Sequence, residues 1–506
     1  MVRVLTVCLL LILLLSPLGF AQAVFYNLPG VFLYPLNSIN QVADSNPTGT
    51  VAVALMNDPT QAHLALVTSF DPISGTELDS EIAGFGPSHI KAAGTAGGTR
   101  VAVLTNEGGP NAVSIYDLSS AGVLTLLGKE SLTDSITDYS SNLALSGLAR
   151  AGFVLVARSD NQLGNDLVAF SLDDAAELGR LAVGFSLSSL AINEVAGRRT
   201  LVFTRSIPDT SLVKVDATDP SHLVETGSVL LTNAGASTNP GIALSSDGRF
   251  AFLANGINGF FVVNLETMSV VDTLAGSFRE RVEVFEGPAG RLLLLERFGE
   301  NFGESSLLLV NASNPASLVE VNHLDFSTGR YGRAAFTFSR FGGRAVLATL
   351  AGFRILEVPS LNTIEEFPLP NVDDGVLHDV KLLGSSNRVL GVWGLFAALF
   401  GTVNVTEEAL FNLCLQDDST GNLLQINITT GDYQFNNCGG FAVGGTGSLT
   451  KKGNTYTLQH NASDRRVTAK IDTSAKRGSA TVNVFSAGRI FSITDRNTTN
   501  NTCACD

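Results

Sequence analysis

The hydrophobic residues of this chain fall in short runs of about five or six, separated by glycine and small polar residues. Residues 239–275 show the pattern most clearly, with apolar runs at 241–244, 249–254, 259–264 and 269–274. The runs are rich in valine, phenylalanine and leucine, and their lengths are typical of β-strands. Because helical spacing is absent here, the pattern predicts four antiparallel strands joined by tight turns.

A small-residue turn between the first two runs recurs about every 48 residues. It stands at 48–49, 97–98, 151–152, 197–198, 247–248, 289–290, 342–343 and 386–387, and an apolar run follows it each time. A two-residue hairpin needs backbone at positive φ, which explains the residue types. A local match also links residues 215–225 with 310–320, two periods later. Four strands in each repeat of this length predict the blades of a β-propeller.

The repeats resemble two known types of propeller repeat. Residues 239–275 resemble a YVTN-type repeat, and the segments around Asp219-Pro220 and Asn314-Pro315 resemble LVIVD-type repeats. The resemblance covers roughly residues 37–405 and implies an all-β ring of the kind found in WD40/YVTN-like and lactonase-like propellers. We favour eight blades over residues 24–407, with residues 24–36 supplying the last strand so that no sheet edge is left unpaired. Seven blades and a capping hairpin are the alternative.

A second module is predicted over residues 408–506, where apolar and polar residues alternate. Alternation indicates strands with one wet and one packed face, so we expect a small antiparallel sandwich or barrel. It is similar to β-rich tail modules of other secreted proteins. Four cysteines of the chain lie in this module, at Cys414, Cys438, Cys503 and Cys505. They predict two disulfides that link Cys414 and Cys438 to the C-terminal pair, whereas the zinc alternative lacks histidine and CxxC spacing.

The first 23 residues have the pattern of a signal peptide: Arg3, an apolar run from Val4 to Leu15, and the cleavage signal Ala21-Gln22-Ala23. We therefore expect export to the periplasm or the extracellular space. The apolar run from Val389 to Val403 is too short for a membrane span, so no integral span is expected. The net charge of −15 argues against nucleic acid as a partner. No motif in the sequence calls for a metal or a cofactor.

Candidate ligand-binding residues stand where first strands of the predicted blades begin: His89, His378, Arg281 and Arg333. In a propeller this strand lines the central channel, so the four side chains predict a site for an anionic or carbonyl-bearing ligand, with plain solvation of the channel mouth as the alternative. The lactonase resemblance would imply a hydrolase at the same place, but no motif matches that family's catalytic pattern. We therefore assign no catalytic residue. A binding scaffold for a protein or a glycan is the favoured function, ahead of a lactonase-like hydrolase and a structural extracellular protein.

Overall fold

Strands account for the regular structure of the described chain. The computed structural model of this 506-residue protein describes residues 24–27, 43–57, 64–106, 111–132, 141–157, 164–184, 190–195, 197–205, 210–231, 241–256, 259–287, 290–299, 303–327, 334–339, 342–349, 351–368, 376–384, 388–394, 398–405, 413–417, 422–426, 432–436, 442–461, 465–472, 477–484 and 489–499. Within those ranges every regular element is a β-strand.

The strands are numbered in chain order, from β1 (Val24–Asn27) onward. Blades 1 to 4 contain β2 (Ala43–Ser45), β3 (Ala52–Asn57), β4 (Leu64–Phe70) and β5 (Glu77–Phe85); β6 (Pro87–Thr95), β7 (Gly98–Asn106), β8 (Asn111–Leu118) and β9 (Leu124–Ser131); β10 (Ser141–Ser146), β11 (Ala151–Ala157), β12 (Asn165–Ser171) and β13 (Glu177–Gly184); and β14 (Ala191–Val195), β15 (Arg198–Arg205), β16 (Ser211–Asp216) and β17 (Val224–Leu230).

Blades 5 to 8 follow the same order, except that the last one also takes in β1. They contain β18 (Gly241–Leu244), β19 (Phe250–Ala254), β20 (Phe260–Asn264) and β21 (Ser269–Leu274); β22 (Phe278–Gly287), β23 (Gly290–Phe298), β24 (Glu304–Asn311) and β25 (Val319–Ser327); β26 (Ala335–Phe338), β27 (Arg344–Thr349), β28 (Gly352–Glu357) and β29 (Thr363–Pro368); and β30 (Val376–Leu382), β31 (Arg388–Gly394) and β32 (Ala398–Asn404) with β1.

The first strands of successive blades lie against each other all the way round, and β2 of blade 1 also lies against β30 of blade 8. The eight four-stranded antiparallel sheets of the described residues therefore close into a ring. The N-terminal strand β1 pairs with β32, with Val24 opposite Thr402, so both ends of the ring-forming chain meet in one sheet. This pairing covers an edge that would otherwise be open to another chain.

The hydrophobic core lies between neighbouring blades, in separate clusters that each join two sheets. Middle strands such as β12 and β24 are buried along almost their whole length, because a blade packs against a neighbour on both faces. Outermost strands such as β25 and β29 alternate between exposed and partly buried residues. This gradient explains why the second and third runs of each repeat are almost continuously apolar.

The two faces of the ring are named here by the direction of the first strands. The turn side is where a first strand ends and turns into the second, as at Ser245–Gly248. The start side is the opposite face, where first strands begin and second strands end, as at Phe278 and Phe298. The turn side therefore carries the loops between first and second strands and between third and fourth strands, and the start side carries the other two kinds of connection.

A buried carboxylate joins three blades where the ring closes. Asp44 of β2 is 7% exposed and accepts a hydrogen bond of 2.9 Å from the backbone N–H of Ala92 in blade 2. The same oxygen, Asp44 Oδ2, lies 2.8 Å from Nζ of Lys381 in blade 8. Because the carboxylate is enclosed, these charge-assisted contacts hold blades 8, 1 and 2 in one arrangement.

In blades 5 and 7 a serine side chain closes the turn between the first and second strands. In blade 5, Ser245 Oγ accepts a hydrogen bond from Phe250 N–H and also binds Asp247 Oδ1, while Gly248 takes a φ of 70°. Ser339 Oγ accepts from Arg344 N–H in the same way in blade 7. The sequence pattern thus identifies positions at which the backbone needs both an acceptor and a left-handed residue.

In blade 3 the turn lies earlier than the predicted position 151–152. Both residues belong to β11, and the turn is made by the preceding residues, with Arg150 at a φ of 51°. Gly152 serves packing instead, since a Cβ there would overlap the ring of the buried Phe170. Small residues in that run therefore mark a close approach of two strands and not the hairpin.

The two matching Asp/Asn-Pro segments adopt the same hydrogen-bonded loop between a third and a fourth strand. Asp216 Oδ1 accepts from Thr218 N–H at 2.8 Å, and Asn311 Oδ1 accepts from Ser313 N–H at 2.9 Å. The Asp or Asn residue before the proline also accepts a hydrogen bond from the backbone N–H two residues ahead. In blade 4, for example, Asp219 Oδ1 accepts from Ser221 N–H. The sequence match therefore reflects the same turn chemistry in blades 4 and 6.

The C-terminal region forms one antiparallel sheet. Its strands are β33 (Leu413–Asp417), β34 (Asn422–Ile426), β35 (Asp432–Asn436), β36 (Ala442–Thr446), β37 (Ser448–Lys452), β38 (Thr455–Asn461), β39 (Arg465–Asp472), β40 (Arg477–Val484) and β41 (Arg489–Thr499), in the order β36-β35-β34-β33-β41-β40-β39-β38-β37.

The two outer strands of this sheet, β36 and β37, are separated in the chain by Gly447 alone. The sheet therefore folds over so that its edges meet, and the core contains residues from both halves, among them Tyr433 and Val467. A side chain at Gly447 would press on Leu458 and on the backbone of Gln459, so the corner requires a residue without one. Strand β39 alternates buried and exposed residues, as its sequence predicts.

Candidate functional site

The two histidines proposed from sequence lie near the beginning of first strands. His89 is the third residue of β6 and His378 is the third residue of β30. The Nδ1 atom of His89 lies 2.9 Å from the hydroxyl of Ser88. For His378 the structure describes the backbone only, in a strand that is irregular between Leu377 and Asp379. Both residues therefore stand on the start side, and their ligand-binding role stays a prediction.

Arg281 reaches across the first strands of three blades. From β22 its Nε donates to the carbonyl oxygen of Phe336 in blade 7 at 3.1 Å, and its Nη2 donates to the carbonyl of Val380 in blade 8 at 2.7 Å. Nη2 also contacts Glu283 at 3.0 Å. The structure thus brings Arg281 to the strand that carries His378.

The other predicted residues are described in part or not at all. Arg333 lies outside the described residues, as do Cys438, Cys503 and Cys505. Cys414 lies in β33, where its backbone is opposite Thr499 of the last strand. The last strand thus passes Cys414 at Thr499, which precedes Cys503 by four residues in the sequence. The two disulfides remain predictions, and the pairing of β33 with β41 is compatible with them.

A cluster that the sequence analysis missed lies on the start side of blade 6. Arg279 of β22 and Glu296 of β23 form an ion pair, with 2.7 Å between Arg279 Nε and Glu296 Oε1. The guanidinium carbon of Arg279 also lies 4.4 Å from the centre of the Phe298 ring. Glu296 is fully buried, the Arg279 side chain is 21% exposed and Phe298 is 40% exposed. We call these three residues the Arg279 cluster.

The buried carboxylate of Glu296 has few interactions that would offset the cost of removing its charge from water. Among the described residues, neither of its oxygens nor the Ser305 hydroxyl takes part in a hydrogen bond of ordinary geometry. Burial raises the pKa of the Glu296 carboxyl to about 7, and the nearby Arg279 opposes that rise. The Ser305 hydroxyl and the backbone N–H of Ala334 also favour the ionised form. Such a group is held at the edge of ionisation near neutral pH, which is a common feature of functional sites.

The sequence carries a signal for this cluster. The registers Phe250↔Asn264 and Leu292↔Asn311 align Ala254 of blade 5 with Glu296 of blade 6. A glutamate therefore replaces a small apolar residue at the end of an otherwise apolar run of four leucines. A charged residue at a core position of a repeat has to be paired or functional. Only the tertiary structure shows that its partner is Arg279.

The C-terminal sheet packs against the ring on the turn side at blade 4. Val195, the last residue of β14, packs on the core of the C-terminal sheet, and β36 lies against β22 of blade 6. Val195 lies immediately before the turn into β15. The C-terminal sheet therefore covers the turn side of blade 4. A partner that approaches the axis of the ring from the opposite direction meets the start side, where the Arg279 cluster lies.

Two further findings concern the described residues only. No group of three or more histidine, cysteine, aspartate or glutamate side chains there has a geometry that could hold a metal ion. In the same part of the chain, no helix has the length and the apolar character that a membrane crossing requires.

Comparison with solved structures identifies the fold. The chain is similar to the C-terminal WD40 domain of Sif2, with a TM-score of 0.51 and 9% sequence identity over 77% of this chain and 100% of that one. It is also similar to Saccharomyces cerevisiae Sqt1, with a TM-score of 0.51 and 11% identity over 76% of this chain and 98% of that one. No protein-family profile and no curated protein sequence matches the chain. The predicted all-β propeller is confirmed, and the YVTN and LVIVD repeat types stay predictions.

Proposed function

We propose that this protein is an exported β-propeller scaffold that binds a protein or glycan partner through the start side of its ring. The observation that carries the proposal is the packing of Val195 against the C-terminal sheet, which occupies the turn side at blade 4. With that face engaged within the chain, the start side is the face that presents the channel mouth to another molecule. We further propose that the destination is the periplasm or the extracellular space.

The side chains on the start side support binding more than catalysis. Arg281 gives its Nε and Nη2 hydrogen bonds to two backbone carbonyls and so ties blades together. The Arg279 cluster, in contrast, combines a partly exposed cation with an exposed aromatic ring. Arginine and aromatic side chains at a rigid surface are the residue types that dominate binding energy at protein interfaces.

Site-specific photocrosslinking in the producing cell tests the face that is used. A photoreactive phenylalanine derivative, which keeps the aromatic ring, would replace Phe298 on the start side, Arg249 on the turn side or Leu126 on the outer strand of blade 2. All three residues are exposed, which makes the positions comparable. We expect a discrete adduct of one mass from position 298 alone.

A discrete adduct from position 249 or 126, with none from position 298, would overturn the proposal. A second arm addresses the hydrolase alternative directly: the purified chain is incubated with simple sugar lactones. Turnover above background that the His89→Ala variant abolishes would show that the start side performs catalysis, and the scaffold proposal would then be wrong.

A further inference from the structure

The Arg279 cluster has the features of a built recognition site. The guanidinium lies over the ring of Phe298 while its Nε faces the buried Glu296. Its terminal nitrogens, Nη1 and Nη2, form no hydrogen bond with any residue that the structure describes. The Arg279 side chain is thus held in place by its contact with the Phe298 ring and by its ion pair with Glu296. Nη1 and Nη2, the planar fork with which arginine binds a carboxylate in a bidentate manner, remain available to a ligand.

We propose that the Arg279 cluster binds a side-chain carboxylate of a partner protein, within a segment in which an apolar residue adjoins the acidic one. The fork of Arg279 receives the carboxylate and the exposed part of the Phe298 ring receives the apolar neighbour. The proposal rests on the proposed function in one respect, namely that a partner reaches the start side.

The charge of the site favours a single negative charge on the ligand. One cation is held here in front of a buried carboxylate, so the local charge is between zero and plus one, and the whole chain carries −15. A phosphate dianion would meet too little positive charge, whereas one carboxylate matches one guanidinium in charge and in shape. Arg279 already covers one face of the Phe298 ring, so the ring offers a sugar acid at most its other face for stacking.

Glu296 couples this binding to pH. The carboxylate faces Arg279 on β22, the Ser305 hydroxyl on β24 and the Ala334 N–H before β26, and Arg279 is the charged group among them. A ligand carboxylate bound to Arg279 adds a negative charge beside it. Arg279 then stabilises the ionised form of Glu296 less, so the pKa of Glu296 rises further. Ligand binding therefore promotes proton uptake by Glu296, and by linkage the affinity rises as the pH falls through neutrality.

Ligand-observed NMR with a small probe tests this site without knowledge of the partner. The probe is an N-acetylated leucyl-glutamate amide, with the leucyl-glutamine peptide, glucuronate and inorganic phosphate as comparison compounds. We expect a Kd of about 1 mM for the glutamate peptide, tightening roughly tenfold between about pH 8 and pH 6. The glutamine peptide, the sugar acid and phosphate are expected to bind more weakly by a similar factor.

Three variants identify the residues responsible. Arg279→Lys retains the charge but loses the fork and is expected to weaken binding about tenfold. Glu296→Gln is expected to remove the pH dependence and to bind at about pH 8 as tightly as the unaltered chain does at about pH 6. Arg249→Ala is the matched control, because Arg249 also pairs with a glutamate, Glu266, and lies 5.7 Å from a phenylalanine ring, but it is exposed on the turn side. Its affinity should be unchanged.

Equal affinity of the glutamate peptide for the unaltered chain and for Arg279→Lys would overturn the proposal, and so would tighter binding of glucuronate or phosphate. The outcome is separable from that of the proposed function. If the crosslink from position 298 forms but the glutamate peptide binds Arg279→Lys as tightly as the unaltered chain, the carboxylate site is wrong and the scaffold stands. If the probe binds as expected but no crosslink forms, the site stands and the scaffold function fails.

Discussion

Replacing Glu296 by glutamine removes a buried negative charge while keeping the shape of the side chain. In the folded chain the pKa of this carboxyl is raised from 4.5 to about 7, chiefly by burial. The folded state therefore holds the proton more tightly than the unfolded state does. The associated stability is fully present below about pH 4.5 and is lost as the pH rises through about 7.

The size of the effect follows from the two pKa values. At about 1.4 kcal/mol for each pKa unit, the difference between 4.5 and about 7 corresponds to ~3 kcal/mol. The ion pair with Arg279 is already included, because its opposing influence contributes to that pKa. We therefore expect Glu296→Gln to be more stable than the unaltered chain by about 3 kcal/mol above pH 8, and the two to converge near pH 4.5.

Urea unfolding at several pH values measures this difference. The chain has one tryptophan, Trp393, in β31 of blade 8, so tryptophan fluorescence reports on the ring separately from the C-terminal sheet. Glu366→Gln is the matched control, because Glu366 also pairs with an arginine, Arg354, at 3.1 Å but is 58% exposed. Parallel stability curves for the unaltered chain and Glu296→Gln between about pH 5 and pH 8 would refute the reasoning.

Three further predictions concern the ring and the C-terminal sheet. Asp44→Ala should lower the free energy of unfolding by about 2–4 kcal/mol in urea titrations, because it leaves Lys381 and the N–H of Ala92 without their acceptor; a loss below about 0.5 kcal/mol would contradict the role of Asp44 in ring closure. Removal of residues 24–27 should expose the edge of β32 and cause concentration-dependent association in analytical ultracentrifugation, whereas a monomer of unchanged stability would count against the pairing. Mass spectrometry without reduction should find Cys414 and Cys438 linked to the C-terminal cysteines, and four free thiols in exported protein would end that hypothesis.

The repeat pattern determined the all-β propeller, since strand length, turn chemistry and apolar runs are local properties that each blade repeats. The Asp216 and Asn311 loops show the same hydrogen bonds because the same residues stand at the same spacing. The alternation along β39 likewise followed directly from the sequence. Predictions of this kind succeed because the determining contacts lie within a few residues along the chain.

The tertiary structure alone decided which charged groups meet, because those contacts join residues far apart in the chain. Arg281 and Val380 are 99 residues apart, and Asp44 finds Lys381 only because the ring closes. Glu296 looks in sequence like one charge at the end of a leucine run, and its raised pKa depends on enclosure between blades 6 and 7. The sequence pattern placed Gly152 in a turn, whereas in the structure it lies in a strand where a side chain would overlap the Phe170 ring. Periodicity determines the repeating unit, whereas burial and charge at one position depend on which units become neighbours.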